Sequence, residues 1–164
     1  KEKLNNQLNF LINNNFKVCC TNFYMLNQKD NKKIKFIKKN KKKLTTQNLL
    51  KRYEVGILTV MIEKSLFKKN LFNKKYNIIG DFDFFISLSL NHDIGFLNKI
   101  LATYRLHEVN LSKKRIDLHI KELNAWIKSN RISLENKNLN INVQKFNLIK
   151  LNLKKRLKFL KFFS

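Results

Sequence analysis

Apolar residues near the start of the chain recur at Leu4, Leu8, Leu11 and Ile12, with Asn and Lys between them. That spacing predicts an amphipathic helix ending near Asn13 to Asn15. From Val18 to Leu26 the pattern turns β-branched, aromatic and sulfur-bearing, which fits a buried strand closed by the turn residues Asn27 to Asn31. Lys32 to Lys43 then holds eight lysines in twelve positions, broken by Ile34, Phe36 and Ile37. The alternation predicts a short edge strand whose lysines discourage edge pairing, with a polyanion patch as the functional alternative.

Thr45 or Thr46 can cap a short helix through Leu49 and Leu50, and Val55 to Ile62 reads as a further strand entered through Gly56. After a loop rich in Lys and Phe, a helix-like apolar run of Phe84, Phe85, Ile86, Leu88 and Leu90 follows Gly80. Ile94 to Tyr104 reads as a pair of extended apolar segments. Ser112 is placed to cap a helix whose Ile116, Ile120, Leu123 and Ile127 are spaced 4, 3 and 4 apart, with Trp126 at its end. Beyond Ser129 the pattern loosens into Asn-rich sequence. It tightens again as Phe146, Ile149, Leu153, Leu157 and Leu160, with lysines at 150, 154, 158 and 161 expected on the other side. Such a basic amphipathic helix can lie on an anionic bilayer, pack on a partner or cover the domain. The division expected is a domain over residues 1–127 and a basic, Asn/Lys-rich helical tail over 128–164.

A length of 164 residues allows one domain with a substantial core, and 43% hydrophobic residues with 14 Phe exclude a disordered basic tail. The net charge of +24 attracts anionic surfaces. However, the 30 Lys and 25 Asn against 3 Gly, 2 Ala, 5 Arg and no Pro follow AT-rich codons, so exposed lysines require no polyanionic partner. The excess of Lys over Arg is also unlike a surface built for bidentate phosphate or base readout, which makes nucleic acid an unfavoured partner. No apolar run approaches the roughly 18 residues of a spanning helix. The expectation is a soluble cytoplasmic chain without a signal of its own, at most peripheral on the inner face of a membrane. Cys19 and Cys20 are adjacent, a spacing that suits neither a metal site nor a disulfide framework, and they read as buried strand residues. A Gly-rich phosphate loop, zinc spacing and nucleophile-base arrangement are all lacking.

Acidic residues number only 11, yet Asp81 and Asp83 stand together before the apolar helix. Free N–H groups and the positive end of the dipole at a helix start would keep them ionised near neutral pH. An ionised, partly desolvated Asp there is what a general base acting on a hydroxyl needs, although an ordinary helix start explains the pair as well. The second element is Tyr104-Arg105-Leu106-His107 with Asn110 and Ser112. On an extended strand Arg105 and His107 point to the same face and could hold a phosphate, or a metal through His107. A helix leaving from Asp83 and a strand returning through Ile94 to Tyr104 would bring carboxylate, arginine and imidazole to one cleft.

The order G-D-F-D, apolar helix, apolar strand, Y-R-L-H-E-V-N-L-S resembles the C-terminal half of a family-2 glycosyltransferase of the GT-A fold. Members of that family typically show E-D-x-D before the helix and Y-R-x-H-x-x-N-x-S after the strand. Lys1 to Leu4 with Gln7 resembles the K-L-x-x-Q helix after the family's metal-binding D-x-D, and Gly56 to Met61 resembles the strand preceding the base. The resemblance covers residues 1–127 and implies an α/β chain holding the acceptor-side half of a mixed sheet flanked by helices. It also implies inverting transfer of a sugar from a nucleotide-diphosphate donor to a hydroxyl of a polysaccharide or glycolipid acceptor. Asp81 matches the catalytic base, Asp83 the second acidic position, and Arg105 and His107 the diphosphate-binding positions, with His107 also near the metal. Gly80 stands where the family commonly has Glu. Mg2+ or Mn2+ would be ligated mainly by a D-x-D segment in a nucleotide-binding half expected before Lys1, so the isolated chain is expected to bind nucleotide sugar weakly or not at all. The alternatives are a small basic nucleic-acid-binding module and a peripheral membrane-binding module acting through residues 146–163 on an anionic surface.

Overall fold

A computed structural model describes residues 2–27, 29, 31–36, 41–69, 71–106 and 115–160. The described residues form a mixed α/β structure. Helix α1 spans Glu2–Asn14 and is followed by strands β1 (Val18–Asn27), β2 (Lys33–Lys35) and β3 (Lys43–Leu44). Next come α2 (Thr46–Lys51), a 3-10 turn (Ile57–Thr59), β4 (Met61–Ile62), α3 (Lys64–Lys69) and α4 (Gly80–Ser89). Strand β5 (Ile94–Leu106) and helices α5 (Ile116–Glu135) and α6 (Asn142–Leu160) complete the order.

The sheet runs β2-β1-β5-β3, with β4 also paired to β1. Strands β1 and β5 are parallel, from Cys19 opposite Gly95 to Asn27 opposite Leu106, and the other pairings are antiparallel. The register shifts around Asn22, whose side-chain amide donates to Asn98 Oδ1 at 3.1 Å. The lysine-bearing β2 lies at one edge of the sheet, where charged side chains oppose further pairing.

Alternation along β1 and β5 assigns the two faces of the sheet. Val18, Cys20, Ile94 and Phe96 enter one buried cluster with Leu49 and Leu50 of α2, Phe84, Phe85 and Leu88 of α4, and Leu123, Trp126 and Ile127 of α5. Cys19 and Gly95 face the opposite way, toward α1: Gln7 Nε2 lies 3.6 Å from Cys19 Sγ, and the Phe10 and Phe16 rings sit over Gly95. Both cysteines are buried and free, as their place in a strand led us to expect.

Gln7 is fully buried, and its Nε2 donates to Thr59 O at 2.8 Å. Lys3 Nζ donates to Leu58 O at 2.7 Å, so two polar residues one helical turn apart fasten α1 to the 3-10 turn. That turn shortens the strand expected over Val55 to Ile62 to its last two residues, Met61–Ile62 of β4. Thr59 donates through both its N–H (2.8 Å) and its hydroxyl (2.6 Å) to Gly56 O, closing the chain where β-branched propensity alone favours extension. Thr45 caps α2 with a reciprocal Thr45/Asn48 capping box.

Three further differences concern the helices and the last strand. The Lys/Phe-rich segment contains α3, β5 is one continuous strand of 13 residues, and α5 continues past Ser129 to Glu135. Leu134 is buried and Arg131 pairs with Glu135 one turn on at 3.1 Å, which supports that extension. Trp126 therefore lies within the helix. Ser112 lies outside the described residues.

The tail helix α6 joins the core through buried Gln144, with Leu148 and Leu151 packed against the cluster and Ile141 buried just before the helix starts. Phe146, Ile149, Leu153 and Leu157 are exposed, so the apolar stripe legible in the sequence faces away from the domain.

Gly95 is the tightest test of the α1 layer. A Cβ added there would lie 2.7 Å from Phe16 Cδ2 and 2.8 Å from Phe10 Cε1, inside any normal contact. Gly95→Ala is expected to lower unfolding free energy by about 1–3 kcal/mol, the usual scale of overpacking. Urea unfolding checks this, and an unchanged midpoint would show that α1 does not pack here as described.

Candidate functional site

Helix α4 begins at Gly80 without a side-chain cap on Ile79. Its entry is fixed by a neighbouring helix instead. The Glu122 carboxylate of α5, only 4% exposed, accepts from the backbone N–H of Asn77 (2.8 Å), Ile78 (2.9 Å) and Ile79 (3.2 Å). Burial acts to raise the Glu122 pKa, but those backbone N–H groups and the Asn77 side chain outweigh it and hold the carboxyl below its usual range. One turn further along α5, Trp126 Nε1 donates to Asp83 Oδ1 at 2.9 Å. An edge-on aromatic series, Tyr53 to Phe82 (5.5 Å) and Phe82 to Trp126 (4.8 Å), continues the same contact.

These ties leave Asp81 on the wall of a cleft of about 670 Å³. The cleft is lined by the end of α2 and the segment after it (Leu50, Lys51, Arg52, Tyr53), the start of α4 (Ile79, Asp81, Phe82), α5 (His119, Leu123) and α6 (Val143, Gln144, Asn147, Lys150, Leu151). Its lining is mostly apolar, with one carboxylate, one imidazole and three cationic side chains. Gln144 Nε2 donates to Leu50 O at 2.7 Å, while its buried Oε1 has no partner among the described residues.

The electrostatics at Asp81 differ from those expected of a helix start. Burial raises its pKa, and the opposing hydrogen bond from the Phe82 N–H (2.8 Å to Oδ1) does not cancel it. Asp83 is raised as well, by burial, against the Trp126 and Asn73 side chains. Desolvation thus outweighs the hydrogen bonds at both carboxyls, and each is raised above its ordinary value. Tyr53, half-buried beside Asp81, is pushed up by desolvation and then by the Asp81 charge. His119 is held below its usual value by burial, against the pull of Glu122.

The four residues singled out from the sequence do not all converge. Asp81 lines the cleft, whereas Asp83 binds Trp126 and is a tie between α4 and α5. Arg105 is exposed near the end of β5, paired in register with Leu26, and is not part of the cleft lining. His107 lies outside the described residues. The cleft does hold a carboxylate, an arginine and an imidazole, but they are Asp81, Arg52 and His119. His119 and Gln144 carried no local signal, because each faces the cleft only through the packing of α5 and α6.

No protein-family model matches the chain, and no curated protein matches it. Among the described residues no three His, Cys, Asp or Glu side chains gather to hold a metal. No described helix is long and apolar enough to cross a membrane.

Glu122 supplies a pH signature. Its folded pKa lies below its unfolded value, so between the two the unfolded chain binds more protons; the stabilisation is complete above the ordinary carboxyl range and is lost as pH falls through the folded value. Glu122→Gln is expected to lower stability by about 1–3 kcal/mol at pH 7, the scale of a weakened buried hydrogen-bond set. The gap between wild type and variant should narrow at about pH 3, below the unperturbed Glu value. Urea unfolding at both pH values checks this, and a gap independent of pH would contradict it.

Proposed function

We propose that this chain is the acceptor-side half of an inverting family-2 glycosyltransferase of the GT-A fold. It would transfer a sugar from a nucleotide-diphosphate donor to a hydroxyl of a saccharide or lipid-linked acceptor. The observation that carries the reading is Asp81: a half-buried carboxylate at the start of α4, on the wall of a cleft large enough for a sugar ring and edged by cations. Its place in G-D-F-D is the position that the resemblance assigns to the base.

The chemistry follows from that carboxylate. An acceptor hydroxyl is a poor nucleophile, and Asp81 takes its proton as the oxygen attacks the anomeric carbon. The new C–O bond forms on the face opposite the departing diphosphate, whose bond to the sugar breaks with the electron pair leaving on the diphosphate oxygen. Inversion results. A carboxyl with a raised pKa is a stronger base when ionised, so the desolvation of Asp81 favours proton abstraction. Lys51, Arg52 and Lys150 give the cleft a positive potential suited to an anionic leaving group.

Arg105 and His107 keep their proposed roles at the diphosphate, in the enzyme formed with its nucleotide-binding half. Mg2+ or Mn2+, when bound, would neutralise diphosphate charge. The described residues alone do not fit such an ion, and its ligands belong mainly to the D-x-D segment that the resemblance implies.

In that complete enzyme Asp81→Asn is expected to lower turnover by about two to four decades, the scale of lost general-base catalysis, with little change in donor KM. Nucleoside diphosphate release across a panel of nucleotide sugars is the measurement. Near-wild-type transfer by the variant would remove Asp81 as the base.

A further inference from the structure

Helix α6 has two apolar sides. The inner side, Gln144, Leu148 and Leu151, is committed to the core and the cleft. The outer side presents Phe146 at 54%, Ile149 at 56%, Leu153 at 53% and Leu157 at 61% exposure, four large apolar side chains in one stripe three turns long. At about 100° per residue, Lys150 and Lys154 fall on one flank of that stripe and Arg156 on the other, beside Lys145, which pairs with Glu135 at 3.1 Å. Asn142–Leu160 contains no acidic residue.

We infer that this outer side of α6 docks on an anionic lipid bilayer. An exposed apolar stripe edged on both sides by cations is the surface an interfacial helix needs: the apolar side chains enter the acyl boundary while lysine and arginine stems reach back to the headgroups. Lys150 already lies along the Phe146 ring, its Nζ 4.5 Å from the centroid, so cation and apolar wedge are side by side. Charge selects this occupant over a second copy of the chain, because two such helices would bring like charges together around a shared apolar seam. A nucleic acid would use the cations and leave the stripe in water. The other exposed apolar stripe, Leu4, Leu8 and Ile12 on α1, has no comparable flank of cations, since Lys3 is turned to Leu58. Because α6 also lines the cleft, docking holds the cleft beside the bilayer, although the binding itself does not depend on the transfer reaction.

The test is co-sedimentation of the purified chain with phosphatidylcholine vesicles, with and without phosphatidylglycerol. Wild type is expected to bind the anionic vesicles and to be released by salt. Lys154→Gln with Arg156→Gln should weaken that binding about 25-fold, taking about fivefold for each cation at an anionic surface. Ile149→Asp with Leu153→Asp, both at exposed positions and so expected to fold, should abolish it, with circular dichroism as the check on folding. Absence of vesicle binding by wild type overturns the inference, as does undiminished binding by the folded aspartate variant. So does a wild-type dimer in sedimentation equilibrium that the aspartates dissociate, or binding confined to an RNA or DNA oligomer.

Discussion

The buried Glu122 carboxylate organises this structure. Three consecutive backbone N–H groups, at residues 77 to 79, would lack partners ahead of α4, and a single side chain from α5 receives them all. Unsatisfied buried donors are costly, so the entry to α4 and the position of α5 are fixed together. The Trp126 to Asp83 hydrogen bond repeats the linkage one turn along, and the ring contacts from Tyr53 to Trp126 extend the same joint. With α4 and α5 held this way, Asp81 and His119 line one cleft.

That anchoring also sets the chemistry available to Asp81. A helix start stabilises a carboxylate through its free N–H groups, and burial opposes ionisation. Here the donors of residues 77 to 79 are engaged by Glu122, while Asp81 receives the Phe82 N–H. Burial prevails at Asp81 and the N–H groups prevail at Glu122, so two carboxylates on either side of the same helix start shift in opposite directions. Opposed environments of this kind separate a structural carboxylate from one able to move a proton.

Much of the fold was legible because it rests on local signals. The leucine spacing of α1, the sulfur-rich and aromatic run of β1, the Thr45 cap and the Gly80 boundary each appear in the structure where local chemistry places them. What was not legible depends on partners far along the chain. Val55 to Ile62 has strand propensity, but Thr59 folds back on Gly56 and the turn is gripped by Gln7 and Lys3 of α1. Periodicity marked an apolar stripe on α6, yet a helix with two apolar sides gives no indication of which faces the core. At the site, Asp81 stood out as a scarce acid before an apolar helix, whereas Glu122 and His119 are set by interactions more than 40 residues apart in sequence or by helix packing.

The central claim is that the α4–α5 joint holds Asp81 partly desolvated in the cleft. Titration of the Asp81 side-chain carboxyl by carbon-detected NMR, assigned by comparison with Asp81→Asn, tests it most directly. A midpoint above the ordinary aspartate value is the result expected from its burial. A midpoint at or below that value would mean that the carboxylate is solvated or paired, and that the cleft does not hold the base described.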